Sequence, residues 1–410
     1  MNQWFTVLAL SVFLLMPSQA RELKEYDSDL IYDEAKVPHY DLPPLLVLPN
    51  GQPVDTPEAW MNSRRPQILS LFSNLVYGNI PAPETSIDTR YETVDVDDAF
   101  LDGRVTRKEV RITFENKHGQ LAMTVLLFVP NSAAAPLPAF LLHSFDNTRS
   151  TAFDLRSDGS GILNNDIPLG QMAEAGFGFV AVYQQDLVGH NEVSFLDSIH
   201  RLFYREGQSF PKANEWGVLS AVAWGAMQAM DYLETGEDID PTRVAVMGHS
   251  KMGKAALWTA ALDARFAMAV SAQSGAAGAA LWRRQSGETL EKMVTRFPYW
   301  LCRSAWQFVN REEDLPVDQH MLLALIAPRP VYVASGVEDT WADPRGEYLS
   351  AYHASRVYEL LGEKGLAEKQ SPAPNEPILD SAVGYHIRPG GHSVDPYDWD
   401  QFIEFAKRHL

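Results

Sequence analysis

The stretch RVAVMGHSKMGKAALWTAAL, residues 243–262, decides how this chain folds. Residues 244–247 are apolar and predict a buried parallel strand. Residues 255–262 are rich in good helix formers and predict a helix. Between these segments, the Gly248-x-Ser250 turn would expose the serine oxygen in front of free N–H groups at the start of the helix. This context predicts that Ser250 is a nucleophile; a serine that only caps the helix is the alternative.

Segments typical of strands and of helices alternate along the rest of the chain. Residues 105–114 and 121–129 flank a turn at residues 116–119 and predict a hairpin. Further apolar segments predict strands at residues 137–142, 177–182, 266–271, 330–335 and 383–387. Helices are predicted at residues 60–77, 215–233 and 345–361, and from residue 397 to the end. The alternation predicts an α/β chain with a mainly parallel sheet covered by helices on both faces.

The same pattern predicts one catalytic domain over residues 21–410, in which about the first 80 residues, to residue 100, form an N-terminal extension. Several prolines lie in residues 21–60 and predict an extended, irregular lead-in. Residues 275–315 interrupt the alternation of strands and helices with glycines, aromatic residues and charges. We expect this segment to be an insertion over the carboxyl edge of the sheet, where such folds build their sites.

The first 20 residues have the pattern of a signal peptide. Residues 5–16 are apolar or small, a run too short to span a bilayer, and Ser18-Gln19-Ala20 resembles a cleavage site. No cysteine stands beside this site, so no lipid anchor is predicted. We therefore expect a periplasmic or secreted protein.

Composition narrows the classes of partner. The formal net charge is −19, which argues against nucleic acid or an anionic membrane surface as a partner. Cys302 is the only cysteine, so no intramolecular disulfide is possible, and we interpret it as a buried small apolar residue. No His-Glu-x-x-His or Cys-x-x-Cys spacing is present, and no metal or other cofactor is predicted. A monomer is expected.

A nucleophilic serine needs a general base, and that base needs an orienting carboxylate. In the α/β-hydrolase fold these residues follow one another as serine, acid and histidine. His392 lies in a glycine-rich loop before the last predicted helix, and Asp339 follows the strand predicted at residues 330–335. The chain order therefore predicts a Ser250–His392–Asp339 triad. Glu338 is a rival for the acid that spacing does not exclude, and a surface histidine and a capping aspartate are the structural alternatives.

The tetrahedral intermediate of such a reaction needs hydrogen-bond donors for its oxyanion. The backbone N–H of Lys251, directly after the nucleophile, is the first candidate. A second donor is expected from the loop at residues 144–147. The Lys251 side chain either folds inward and adds charge to this site or stays in water.

The motif Gly248-x-Ser250-x-x-Gly253-Lys254 resembles the elbow of glucuronoyl esterases, carbohydrate esterase family 15. Similarity to bacterial members continues at residues 32–38, 76–78, 229–234, 315–320 and 341–344. The resemblance implies an α/β-hydrolase fold and a serine esterase that forms an acyl-enzyme. It also implies that the substrate is an ester of 4-O-methyl-glucuronic acid on xylan, notably one that links glucuronoxylan to lignin.

The resemblance further implies that Lys254, Glu288 and Trp341 contact the uronate sugar. Charged partners for hydroxyl groups and a flat apolar face for the ring would suit a sugar. Without the resemblance, each residue has a simpler interpretation: Lys254 on a solvated helix face, Glu288 as a helix cap and Trp341 as loop packing.

Two positions depart from the family pattern. Gln273 stands where many members carry the glutamate of the triad, so we expect the acid to have moved to Asp339. Lys251 stands where the family has arginine, and a lysine offers a point charge instead of a rigid fork of donors. Two other functions therefore stay open: an esterase such as an acetyl-xylan deacetylase on the same triad, and a carbohydrate-binding pseudoenzyme.

Overall fold

The computed structural model describes residues 30–132, 136–144, 167–189, 195 and 197–410. Nine strands in these residues form one sheet. They are β1 (Asp88–Asp97), β2 (Val105–Asn116), β3 (Gly119–Pro130), β4 (Leu137–Ser144), β5 (Gly178–Tyr183), β6 (Ile239–His249), β7 (Met268–Ala272), β8 (Val331–Gly336) and β9 (Val383–Arg388).

The order of the strands across the sheet is β1-β2-β3-β5-β4-β6-β7-β8-β9. Strands β1 to β3 form an antiparallel meander, and β3 joins β5 antiparallel. From β5 to β9 all neighbours are parallel. The carboxyl ends of β6, β7, β8 and β9 therefore lie side by side at one edge, where parallel folds place their sites.

Helices cover both faces of this sheet. Those of six or more residues are α1 (Arg65–Leu75), α2 (Leu169–Glu174), α3 (Val218–Leu233), α4 (Lys251–Leu262), α5 (Leu290–Arg296), α6 (Gln319–Ala324), α7 (Pro344–Leu360) and α8 (Pro396–His409). Shorter α-helical turns lie at Pro57–Ala59, Phe100–Gly103 and Gln184–Leu187, and a π-helical turn lies at Trp60–Arg64. Short 3₁₀-helices lie at Glu34–Lys36, Ile199–Phe203, Trp282–Arg284, Arg303–Phe308, Glu312–Asp314 and Thr340–Ala342.

Two hydrophobic clusters, one rich in residues of α4 and the other in residues of α8, fill the space between helices and sheet. In the first, the Trp258 ring of α4 stacks on Tyr77 with 4.5 Å between ring centroids. In the second, the Trp399 ring of α8 packs edge-on against Phe140 of β4. This arrangement confirms the predicted α/β-hydrolase class, with a mainly parallel sheet between layers of helices.

The structure differs from the sequence prediction at two places near the N-terminal side. Strand β1 was not predicted because nearly all of its residues are exposed, so it lacks the alternation of apolar and polar residues that marks a half-buried strand. It lies within the residues assigned to the extension, yet it pairs with β2 along most of its length. The continuous helix predicted at residues 60–77 is instead a π-helical turn followed by α1.

The predicted insertion at residues 275–315 contains α5 and three short 3₁₀-helices, joined by irregular segments. Cys302 is buried there, and burial raises the pKa of its thiol to about 11. It therefore resembles a small apolar residue more than a reactive thiolate. None of the helices in the described part of the chain is both long enough and apolar enough to span a membrane.

Candidate active site

Ser250 lies in a strained turn between β6 and α4. Its φ of 57° and ψ of −126° are unusual for a residue with a side chain. The turn is held from both sides, because the Ser250 N–H donates to the Ala272 carbonyl at 2.8 Å and the Gly253 N–H donates to the Ser250 carbonyl at 2.9 Å. Gly248 is required for the same turn, since a Cβ there would lie 2.2 Å from the Met252 carbonyl oxygen.

The Ser250 side chain makes no capping hydrogen bond to α4. It lines a cavity of about 370 Å³ at the carboxyl edge of the sheet. His392, Asp339, Lys254, Glu288 and Trp341 line this same cavity. The structure thus brings together all the site residues predicted from the sequence except Lys251, whose side chain lies elsewhere and is described below.

His392 and Asp339 form a direct pair. His392 lies in the loop between β9 and α8, and its Nδ1 is 2.6 Å from Asp339 Oδ2. The Asp339 side chain is 2% exposed, whereas that of His392 is 39% exposed. A buried carboxylate on Nδ1 fixes the ring and leaves Nε2 free to act as a base.

Glu338, the rival for the acid, makes no hydrogen bond or ion pair with His392. Its side chain is exposed and makes no hydrogen bond or ion pair with the residues that the structure describes. Its backbone N–H donates to the Gly390 carbonyl at 3.0 Å, which joins the two loops that carry Asp339 and His392. Of the two carboxylates, Asp339 is the one within hydrogen-bond distance of His392.

The loop that carries His392 is held by a buried arginine that the sequence analysis did not single out. Arg388 donates hydrogen bonds to the carbonyl of Pro389 at 2.9 Å and to Oγ and the carbonyl of Ser393. It is therefore bonded to the loop on both sides of His392. Its Nε is 2.7 Å from Oδ2 of Asp398, which is also buried. The capping box between Asp395 and Asp398 was the available sequence signal for this anchor.

Gln273, which stands at the family's usual acid position, bonds to a neighbouring histidine. Its Oε1 is 3.1 Å from Nε2 of His249, and the His249 ring lies 4.5 Å from the His392 ring between centroids. Burial, followed by repulsion from His392, lowers the pKa of His249 to about 4. His249 is therefore neutral at physiological pH and adds no positive charge beside His392.

Lys254 and Glu288 form a buried ion pair. Lys254 Nζ lies 2.7 Å from Glu288 Oε2, 2.7 Å from the Ser274 carbonyl and 2.5 Å from the Ala276 carbonyl. Both side chains are 4% exposed. The alternative of a lysine on a solvated helix face is therefore wrong.

Glu288 is bound to the segment that carries Trp341. Its backbone N–H donates to the Trp341 carbonyl at 2.9 Å. The residue that caps α5 is Thr289, so the alternative of Glu288 as a helix cap is also wrong. The half-buried Trp341 lines the cavity, and the Arg296 guanidinium lies over its ring at 5.5 Å from the centroid.

The cavity has an aromatic wall that the sequence analysis did not predict. Phe297 and Trp300, from the predicted insertion, line the cavity, and their rings stack 3.9 Å apart with 7° between their planes. Apart from its position in the insertion, the sequence gives no pattern that assigns this pair to the site.

Lys251 is buried behind this wall and is not solvated. Its Nζ donates to Gln184 Oε1 at 2.6 Å and lies 4.8 Å from the centroid of the Trp300 ring. Burial lowers the pKa of Lys251 to about 7. The alternative of a lysine that stays in water is thus wrong, and its backbone N–H lies at the start of α4, directly after Ser250.

The second oxyanion donor was expected at residues 144–147, of which only Ser144 lies within the described residues. Ser144 ends β4, and its hydroxyl is buried without a hydrogen-bond partner in the described part of the chain. As for metals, no group of three or more His, Cys, Asp or Glu side chains in the described ranges is placed to hold an ion.

Comparisons with known proteins agree with this geometry. The chain is 39% identical over 405 residues to the carbohydrate esterase MZ0003 of an unknown prokaryotic organism, covering 92% of each chain. The solved glucuronoyl esterase of Solibacter usitatus is 39% identical, with a TM-score of 0.83 over 92% of this chain and 100% of that one.

A solved promiscuous family 15 esterase from a marine bacterial metagenome is 37% identical, with a TM-score of 0.81, and the match covers 93% of this chain and all of that one. The family model for fungal glucuronyl esterases matches residues 178–362. The elbow, the sheet and these similarities lead to one assignment: the chain belongs to the glucuronoyl esterases of carbohydrate esterase family 15, which are carboxylic ester hydrolases.

Proposed function

We propose that this protein hydrolyses esters of glucuronic acid or 4-O-methyl-glucuronic acid on xylan, such as those that link glucuronoxylan to lignin. The observation that carries the proposal is one cavity lined both by Ser250 with the His392–Asp339 pair and by a buried Lys–Glu pair. The first set of residues fits ester cleavage, and the second fits recognition of sugar hydroxyl groups.

Ser250, His392 and Asp339 carry the reaction in this proposal. His392 Nε2 takes the proton of the Ser250 hydroxyl as Oγ attacks the ester carbonyl, and Asp339 stabilises the imidazolium through Nδ1–H. The backbone N–H of Lys251 donates to the oxyanion. His392 then gives its proton to the departing alcohol, which leaves an ester between Ser250 and the glucuronic acid.

Water completes the cycle. His392 takes a proton from a water molecule, whose oxygen attacks the acyl-enzyme carbonyl, and the proton returns to Ser250 as the glucuronic acid leaves. The products are the free acid and the alcohol. No cofactor takes part in this sequence.

Lys254, Glu288 and Trp341 bind the sugar in this proposal. The Lys254 ammonium has three protons, and three acceptors within the protein already occupy them. The sugar hydroxyls therefore donate to the Glu288 carboxylate, which Lys254 holds in place, while Trp341 presents its ring to the sugar.

We further propose that residues 21–410 form one exported catalytic domain, that residues 1–20 are its signal peptide and that the protein is a monomer. Inclusion of β1 in the central sheet supports a single domain. The signal peptide lies outside the described residues. Mass spectrometry of the mature N-terminus and light scattering would test the cleavage site and the monomer.

The test of the function is hydrolysis of benzyl glucuronate beside an acetylated xylose, with Ser250→Ala as the control. We expect serine-dependent cleavage of the uronate ester. Cleavage of the acetate alone would instead indicate a deacetylase, and absence of both activities in folded protein would indicate a pseudoenzyme.

The choice of acid is tested by a matched pair of variants. We expect Asp339→Ala to lower kcat by several orders of magnitude, on the scale of other triad acids at about 10⁴. Glu338→Ala is the control, because that side chain is exposed and has no contact with His392, and it should keep near-normal kcat. The reverse result would mean that Glu338 is the acid.

A further inference from the structure

Glu347 is a fully buried carboxyl group that the proposed mechanism does not use. It lies in the first turn of α7, and its exposed fraction is 0%. Its Oε2 accepts a hydrogen bond from Ser335 Oγ at 2.6 Å, at the end of β8. Its Oε1 accepts one from the Gly275 N–H at 3.0 Å, in the turn after β7. Glu347 therefore bridges the ends of two strands that lead into the site.

The bond to Gly275 is connected to the sugar site through a single peptide group. The N–H of Gly275 and the carbonyl of Ser274 belong to the same planar peptide, in which they point in opposite directions. That carbonyl accepts from Lys254 Nζ at 2.7 Å. Glu347 and Lys254 thus hold the two ends of one peptide group, and Lys254 holds Glu288 in turn.

The turn that contains this peptide needs such support. Gln273, Gly275 and Ala277 all have positive φ, at 46°, 58° and 53°. For residues with side chains this conformation is unfavourable, and it persists only when the surroundings enforce it. The turn also packs tightly, since a Cβ on Gly275 would lie 3.2 Å from Cα of Ala342, next to Trp341.

We propose that Glu347 is a positioning residue for sugar recognition: it fixes the Ser274–Gly275 peptide and, through that peptide, the Lys254–Glu288 pair. The inference rests on the proposed function, because it assigns the sugar to that pair. Glu347 does not itself line the cavity and makes no hydrogen bond to Ser250; it reaches the cavity through Gly275, which does line it, so its effect is on recognition of the sugar and not on the chemistry at Ser250.

The conservative variant for this site is Glu347→Gln. Burial raises the pKa of Glu347 to about 8, and the charge of Asp339 adds to this effect. The carboxyl is therefore largely protonated at neutral pH, and an uncharged amide resembles it in shape and charge. A glutamine oxygen can still accept from the Gly275 N–H, whereas alanine removes that acceptor.

The experiment compares two esters on the full chain: benzyl glucuronate and 4-nitrophenyl acetate, which has no sugar. We expect Glu347→Ala to raise KM for benzyl glucuronate by about tenfold, on the order of one lost polar contact. It should leave kcat/KM for 4-nitrophenyl acetate within about twofold, and Glu347→Gln should keep KM near the wild-type value. The thermal unfolding midpoint of each variant is recorded in parallel.

Equal losses on both esters, or an unchanged KM for benzyl glucuronate in Glu347→Ala, would overturn the inference. If Glu347→Ala does not fold, Ser335→Ala takes its place, because it removes the second bond of Glu347 and leaves the carboxyl in the core. We then expect a selective rise of about threefold in KM for the sugar ester, and no rise would overturn the inference.

The proposed function is tested on the wild-type protein, so its failure can be distinguished from failure of the inference about Glu347. A wild type that cleaves 4-nitrophenyl acetate through Ser250 but not benzyl glucuronate would refute the proposed function and the inference with it. A wild type active on both esters upholds the function, and the ratios of variant to wild type then decide the role of Glu347.

Discussion

The region around Lys254 and the region around Lys251 differ in how they accommodate a buried lysine. Both lysines lie in the first turn of α4, and they are 3% and 1% exposed. Lys254 meets three oxygen atoms, one of which belongs to the Glu288 carboxylate. Lys251 meets one amide oxygen, from Gln184, and the face of Trp300.

This difference shows that the partners of a buried cation decide whether it stays charged. A buried ion pair is tolerated when hydrogen bonds satisfy both groups, as in the Lys254 region. In the Lys251 region no carboxylate among the residues that the structure describes offsets the loss of water, and burial lowers the pKa of the ammonium to about 7. The first region is therefore a fixed, fully hydrogen-bonded pair, and in the second the lowered pKa of Lys251 lies within the physiological pH range.

The largest expected effect comes from removal of the cation in the Lys254 region. Lys254→Met leaves the Glu288 carboxylate buried without a cation and the Ser274 and Ala276 carbonyls without their donor. We expect a loss of about 3–5 kcal/mol in the free energy of unfolding, as measured by urea denaturation. Hydrolysis of glucuronate esters should also be lost.

The double variant Lys254→Met/Glu288→Gln is the control for this prediction. It removes the isolated charge as well, so it should be more stable than Lys254→Met alone. If Lys254→Met were as stable as the wild type, the pair would not be the fixed structure described here.

An intermediate effect is expected on the pH dependence of stability. Between pH 7 and Lys251's ordinary pKa of 10.5, the unfolded chain keeps the lysine proton and the folded protein does not. The free energy of unfolding should therefore rise with pH in that window, by up to about 1.4 kcal/mol per pH unit. Lys251→Met should remove this rise in urea unfolding experiments between about pH 8 and 10.

Two comparisons sharpen that measurement. Lys364, whose side chain is exposed, provides the control Lys364→Met, which should leave the rise intact. The titration of Glu347 has the opposite effect on the free energy of unfolding at lower pH. The pKa of Glu347 is about 8 in the folded protein and 4.5 ordinarily, so the free energy of unfolding falls as pH rises between these values. A Lys251→Met protein with the wild-type slope above pH 8 would contradict a lowered lysine pKa.

The smallest effect is expected for Lys251→Arg. A guanidinium stays charged at every working pH and can keep a hydrogen bond to Gln184. We expect kcat on benzyl glucuronate to be preserved or raised, and the ratio of variant to wild-type rate to grow as pH rises through 7, where the wild type loses its charge. A large loss at all pH values would show that the site is built around lysine.

The fold was predictable because β4 to β9 are short apolar segments separated by helices, a pattern that sequence displays directly. Strand β1 was not predictable, because it is held by backbone pairing with β2 and not by burial of its side chains. The elbow at Ser250 was predictable because strand, turn and helix are adjacent in the chain.

The remaining parts of the site depend on contacts between distant segments. Spacing alone could not separate Asp339 from Glu338, which are neighbours in sequence but point to different surroundings. Similarly, nothing local in the sequence indicated that Lys251 would be buried against Gln184, which lies 67 residues away. Glu347 is likewise connected to the site through Gly275, which is 72 positions away.

The place of the two proposed catalytic groups in the sheet has a consequence for how activity is lost on heating. Ser250 follows β6, which has β4 and β7 as neighbours, whereas His392 follows β9, the last strand at its edge of the sheet. Edge elements open locally at a lower free energy than central ones. Opening at this edge of the sheet separates His392, the proposed base, from Ser250, the proposed nucleophile, while most of the sheet persists. Inactivation should therefore precede the loss of secondary structure, and residual circular dichroism will overstate how much working enzyme is left.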